Sequence, residues 1–157
     1  MSMMWRTLVT LEGARGRFRG EAGDPGQGRV EARTFASGLA HLRDQLAGSG
    51  GGRCHHRPLA FTKTVGASTP QLAQAACAGE VLRSVTFEFS RFGSGGAEEV
   101  VFAVRLSDVT ISGHALAMAE GSQASGGAPL VETVELTYRR IEWEHRLAKT
   151  MAADSWA

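Results

Sequence analysis

Apolar and polar positions alternate with a period of two over much of this chain, the mark of half-buried strands. In SVTFEFS, Val85, Phe87 and Phe89 share one face and Thr86, Glu88 and Ser90 the other. After GSGG (Gly93 to Gly96), EEVVFAVRL resumes with Val100, Phe102, Val104 and Leu106 in phase, so the two runs predict an antiparallel hairpin. DVTISGHALAM carries the second strand onward, with Gly113 as its predicted bulge or bend. Near the C-terminus Val134, Leu136 and Tyr138 share a face, but Ile141 and Trp143 fall on the opposite phase. One flat strand cannot bury both sets on one side. The pattern therefore predicts a bulge or bend near Arg139 and Arg140, or a strand crossing from one sheet to another. WRTLVTLEG reads as a short strand and RVEARTFASGLA as a weaker one.

One segment has helical signals. In GASTPQLAQAACAG, Thr69 is placed to cap, Pro70 suits the first helical position, and Gly79 suits a left-handed stop. Leu72, Ala75 and Ala76 form a narrow apolar stripe. A helix of about ten residues is too short to stand alone, so it must pack on a sheet. Glycine-rich loops are expected from Gly20 to Gly28, Gly48 to Gly52 and Gly121 to Gly127. With no repeat or dividing linker, the reading is mainly β, a barrel or sandwich with one packed helix, in a single domain over residues 1–157.

Net charge is +1, so no strong overall field draws the chain to nucleic acid or membrane. Two cysteines, Cys54 and Cys77, make neither a disulfide framework nor a CxxC pair. MSMMWRTLVTLEG shows no apolar run of signal-peptide length, and no segment approaches the roughly 18 apolar residues of a membrane span.

The chemical-looking residues do not assemble into a catalytic pattern. Cys54, His55 and His56 would need His41, Cys77 or His114 to complete a metal site, and adjacent histidines lack the usual ligand spacing. Ser68, His114 and Asp108 have no nucleophile elbow around them. Cys77 lies late in an alanine-rich helix, where it reads as a packing residue. The two lysines, Lys63 and Lys149, follow no phosphate-loop glycines. RGRFRG, with basic residues from Arg15 to Arg19, resembles an RNA-binding tail and supports an alternative reading as a β-rich nucleic-acid binder, but Glu12, Glu21 and Asp24 surround it. No cofactor, metal or catalytic residue is assigned.

HHRPLAFTKTVGASTPQLAQAACAGEVLRSVTFEFSR resembles the central signature of the Hcp family, the haemolysin-coregulated tube proteins of bacterial type VI secretion systems. The matching residues are His56, Pro58, Thr62, Lys63, Thr69, Pro70, Leu72 and Ala76. VETVELTYRRIEWEHRLAKTMAADSWA resembles the family's closing strand through Val134, Leu136, Tyr138, Ile141, Trp143, His145 and the terminal Asp154 to Trp156. LVTLEG resembles its first strand. The likeness covers residues 5–12 and 55–157; residues 13–54 depart from it, and Gly66 stands where the family often has an acidic residue.

That resemblance implies an Hcp-like β-barrel of two packed antiparallel sheets with one short flanking helix. It also implies six copies closing into a homohexameric ring, with rings stacking into a hollow tube. The implied partners are a spike protein at the tip, a contractile sheath and baseplate, and small effectors in the lumen; neither nucleic acid nor membrane insertion is implied. The protein would assemble in the bacterial cytoplasm and leave through the apparatus without a signal peptide, and no fused toxin domain is expected. In a ring of this kind, Thr86, Glu88 and Ser90, or Thr133, Glu135 and Thr137, are expected to meet a neighbour or the lumen. The long loop from His41 to His56, with Gly48, Gly50, Gly51, Gly52 and Arg53, is the expected stacking element, and Trp156 the expected anchor of the tail.

Overall fold

A computed structural model describes residues 4–22, 27–43, 52–93, 95–118 and 130–155. In chain order it contains β1 (Trp5–Gly13), β2 (Gly16–Arg17), β3 (Arg29–Ala32), β4 (Thr34–Ala36), β5 (Leu39–Arg43), β6 (Gly52–His56) and β7 (Leu59–Thr64). Then follow the helix α1 (Thr69–Ala78), β8 (Val81–Phe92), β9 (Glu98–Met118), β10 (Leu130–His145) and β11 (Thr150–Ser155). The strands form two antiparallel sheets, one of nine strands and one of two, β5 with β6. The mainly β fold with one flanking helix is therefore what the alternation implies.

The large sheet runs β1, β8, β9, β10, β7 and β4 through consecutive ladders. Its ends meet at Arg33. Residues before it, in β3, pair with β1, and residues after it, in β4, pair with β7. The Arg33 N–H itself donates to the Thr62 carbonyl at 2.7 Å. A sheet joined to itself in this way is a barrel, and closure removes most of its free edges. The weak strand expected over RVEARTFASGLA is thus three pieces, broken where the chain changes partner.

Val9, Leu11, Leu59, Phe61, Leu82, Phe87, Leu106 and Leu136 fill the barrel, all fully buried. Each such side chain contributes about 1.5–3 kcal/mol on burial. Around the C-terminal phase change, all three long strands behave alike. The buried apolar set advances by three residues instead of two, from Leu82 to Val85 past the buried Ser84, from Leu106 to Val109 and from Tyr138 to Ile141. The skipped row is Asp108, with Arg83 on β8 and Arg139 on β10 standing across from it, and Asp108 takes a left-handed φ of 52°. No bulge marks Arg139 or Arg140, where β10 and β9 keep their register; the irregular residue is Asp108 on the facing strand β9. At the same level β10 exchanges its neighbour, from β7 at Val131 to Leu136 to β11 at Arg140 to His145.

True register shifts occur elsewhere, each with an extra residue on β9. Ser112 is extra opposite the Glu135–Leu136 step, at the expected Gly113 bulge, and Val101 is extra opposite the Phe89–Ser90 step. The second bulge corrects two expectations. Val100 and Phe102 are only half-buried while Val101 and Ala103 are buried. Ser90, on the strand facing that bulge, keeps the phase of Thr86 and Glu88 but is 1% exposed, so it is not open to a neighbour or lumen as they are.

The helix has the expected length and ends at Gly79, whose φ of 64° is left-handed. Its start differs. Ser68 is the capping position, without a side-chain cap bond, and Thr69 is the first helical residue, followed by Pro70. Leu72 and Ala75 are buried in the core and Ala76 packs against it.

Candidate functional site

Two charged residues lie on core phases. Lys63 follows Leu59 and Phe61 on β7, and Glu132 precedes Val134 and Leu136 on β10; the register sets them directly opposite. The Lys63 ammonium donates to Glu132 Oε1 at 2.8 Å and to the Thr64 carbonyl at 2.9 Å, and pairs with Glu21 Oε1 at 3.2 Å. Its three protons are thereby used. The Thr69 hydroxyl donates to Glu132 Oε1 at 2.7 Å, and His114 Nε2 bonds Glu132 Oε2 at 2.5 Å. Burial pushes the Glu132 carboxyl up, but the bonds from Lys63, Thr69 and His114 outweigh it and hold the group below its ordinary value. The cluster fastens the start of α1 to β7, β9 and β10. Lys63 and Glu132 are both sealed from solvent.

Gly66 closes one side of this cluster. A Cβ there would lie 2.4 Å from the Glu21 carboxylate. An acid does stand beside Lys63 here, but it is Glu21, from a segment that departs from the family pattern.

A second cluster centres on His56. Its ring bonds Asp154 Oδ2 through Nε2 at 2.5 Å and the Tyr138 hydroxyl through Nδ1 at 3.3 Å. It stacks on Trp143 with centroids 6.5 Å apart and planes 18° from parallel. Cys54 Sγ lies 3.5 Å from the same Nε2. Burial and the nearby Cys54 and Asp154 raise the Tyr138 hydroxyl above its ordinary value, so it stays protonated. Of the residues that the sequence could place with Cys54 and His56, His114 belongs to the Glu132 cluster and Cys77 is exposed on α1. His41 pairs with Cys54 across the β5–β6 hairpin, and alternation turns His55 to the opposite face from both.

Thr133, Glu135 and Thr137 are exposed along β10, and Thr86 and Glu88 are half-buried on β8, where Glu88 bonds Arg146 at 2.8 Å. The expected stacking segment is not one long irregular loop. Residues 39–43 and 52–56 form the β5–β6 hairpin, with Gly52 opposite Arg43 and an exposed Arg53 opposite Leu42. Gly48, Gly50 and Gly51, and the tail residue Trp156, lie outside the described residues. In the Arg15–Arg19 segment Arg17 pairs with Glu12 at 2.7 Å, and Phe18 is a core residue. That aromatic is unavailable for stacking on a base.

The chain matches the family described as "Type VI secretion system effector, Hcp" over residues 9–145. It belongs to the Hcp family. It is 31% identical over 116 residues to the "Major exported protein" of Pseudomonas aeruginosa, covering 73% of this chain and 67% of that one. A crystal structure of an Hcp protein superposes with a TM-score of 0.86 at 25% identity, over 98% of this chain and 99% of that one. The Hcp1 protein of Escherichia coli superposes at 0.82 with 24% identity, covering 97% and 99%, a likeness of fold.

The Hcp signature residues now have physical roles. His56 and Lys63 centre the two clusters, and Thr62 bonds Thr34 across β4 and β7 at 2.7 Å. Pro58 separates β6 from β7, Pro70 opens the helix and Leu72 roots it in the core. Trp143 covers the His56 ring, and His145 Nδ1 accepts the Ala148 N–H at 3.0 Å in the turn after β10. The sequence reading missed Glu132 and did not assign the contacts of Glu21, Asp154 and His114. For Glu132 a signal was present, a lone acid in phase with Val134 and Leu136; Asp154 is brought in only by the β10–β11 pairing. Among the described residues no helix is long and apolar enough to cross a membrane.

Proposed function

We propose that this chain is the tube subunit of a type VI secretion system. Six copies close head to tail into a ring, rings stack into a hollow tube, and a contractile sheath on a baseplate expels that tube behind a spike protein. The lumen carries small effectors, and the protein leaves the cell through the apparatus itself. The role is structural, with no catalytic step. Carrying this reading is the match to the Hcp family across residues 9–145, with a barrel that superposes on an Hcp structure over 98% of the chain.

Surface chemistry supports it. Trp5, Leu39, Leu42, Leu116, Met118 and Met151 are all exposed, an amount of uncovered apolar side chain that suits burial between subunits. Thr133, Glu135 and Thr137 offer a polar outer strand face to a neighbour or lumen, together with Thr86 and Glu88. The β5–β6 hairpin, with Gly52 and Arg53, is the element assigned to ring stacking. Light scattering after size exclusion, followed by negative-stain imaging, tests the reading. A mass near six times 16.7 kDa with hollow rings is expected. A monomer at every protein concentration overturns it.

A further inference from the structure

The β5–β6 hairpin shares no ladder with the main sheet, and a two-stranded ribbon alone is marginal in water. The side chains at its C-terminal end hold it in place, and they also make a donor set for a metal ion. Cys54 and His56 lie two residues apart on β6, so both side chains leave the same face. The Cys54 sulfur, the His56 imidazole nitrogen and an Asp154 carboxylate oxygen all lie within 4.8 Å of one another.

The spacing fits zinc. Tetrahedral zinc with bonds of about 2.3 Å to sulfur and about 2.0 Å to nitrogen sets those two atoms about 3.5 Å apart. The Cys54 Sγ to His56 Nε2 distance is 3.5 Å. Nε2 and Asp154 Oδ2, now 2.5 Å apart, need only separate enough to admit the ion between them. A thiolate and a carboxylate together neutralise a divalent cation, so the loaded site carries no excess charge. His41 stands directly across from Cys54 on β5, on the same face of the ribbon, outside the 4.8 Å group, and would take the fourth position by turning its side chain toward it.

The surroundings are those of an oriented ligand. The Tyr138 hydroxyl bonds His56 Nδ1, and Trp143 stacks on the ring, so Nε2 is aimed at the cluster and the ring plane is set. The His56 side chain is 2% exposed while Cys54 is exposed, which leaves the approach open on the sulfur side.

We propose that Cys54, His56 and Asp154, with His41 as the fourth donor, bind one zinc ion that clips the β5–β6 hairpin to β11. On binding, the Cys54 S–H proton passes to solvent and a zinc–sulfur bond forms; nothing is oxidised or reduced. The site does not depend on ring or tube formation.

The test uses the full chain, reduced and stripped with a chelator, then titrated with Co²⁺ and competed with Zn²⁺. One Co²⁺ per chain is expected, with tetrahedral d–d bands and a thiolate-to-cobalt charge-transfer band that zinc abolishes. Cys54→Ser should remove the charge-transfer band and weaken zinc binding at least about 10-fold, the lower end of what losing even an orienting partner costs. Because His56 is buried, the decisive variants are Cys54→Ser and His41→Ala, whose side chains are exposed. Zinc should also slow amide exchange in β5 and β6 of the wild-type chain and not in Cys54→Ser. Absence of the thiolate band, or unchanged zinc affinity in Cys54→Ser, overturns the site. Unchanged affinity in His41→Ala overturns His41 as the fourth donor, and unchanged exchange overturns the clip.

Discussion

Lys63 and Glu132 face each other across β7 and β10 with 2.8 Å between Nζ and Oε1, and neither side chain is exposed at all. Removing Lys63 leaves Glu132 buried with only His114 and Thr69 beside it. Lys63→Met is expected to cost about 3–5 kcal/mol, measured by urea unfolding. Lys63→Met with Glu132→Leu should cost less than the sum of the two single changes, because the second removes the charge stranded by the first.

The same carboxylate sets an acid limit. Burial raises the Glu132 pKa, but the bonds from Lys63, Thr69 and His114 more than offset that, so its folded value lies below the ordinary range of a glutamate carboxyl. A depressed acid stabilises the fold at pH values above its unfolded pKa. That contribution is lost as pH falls below about 4.5 and through the folded value. Urea midpoints should therefore hold steady from neutral pH to about 5 and then drop, and Glu132→Gln should flatten the drop.

Adjacent hydroxyls at the helix start should respond in opposite ways. The Ser68 hydroxyl is buried with no hydrogen-bond partner among the described residues, whereas Thr69 donates to Glu132. Ser68→Ala is expected to be neutral or slightly stabilising, despite its capping position. Thr69→Val should cost about 1–3 kcal/mol by leaving Glu132 short of a donor. Thermal melts of the two variants check this directly.

Gly66 and Glu21 should behave as a coupled pair. A methyl group at 66 meets the Glu21 carboxylate and must push it off Lys63. Gly66→Ala is expected to destabilise the wild-type chain by about 1–3 kcal/mol, and to cost little in a Glu21→Ala background. A double-mutant cycle by urea unfolding measures the coupling.

Asp108 carries the bend of the long strands at a φ of 52°, a conformation that small polar residues and glycine adopt most readily. Asp108→Gly should be neutral or better, and Asp108→Val should cost about 1–2 kcal/mol in the same assay.

Strand alternation in the sequence determined the mainly β class, the helix from its proline and closing glycine, the Gly113 bulge and the conflict of phase near Arg139. These are local properties, set by which way successive side chains point. The family signature was legible for the same reason, since its residues lie in two continuous stretches. Tertiary structure decided the rest. Closure of the barrel at Arg33 split one weak strand between two partners, and a residue inserted on β9 opposite the Phe89–Ser90 step shifted which β9 side chains are buried. The register of β7 on β10 set Lys63 against Glu132, and the β10–β11 turn carried Asp154 to His56, 98 residues away in sequence. A period of two says which face a side chain takes, but not which distant strand lies beside it. That second fact comes from the ladder pairing and decides the long-range polar contacts of both clusters.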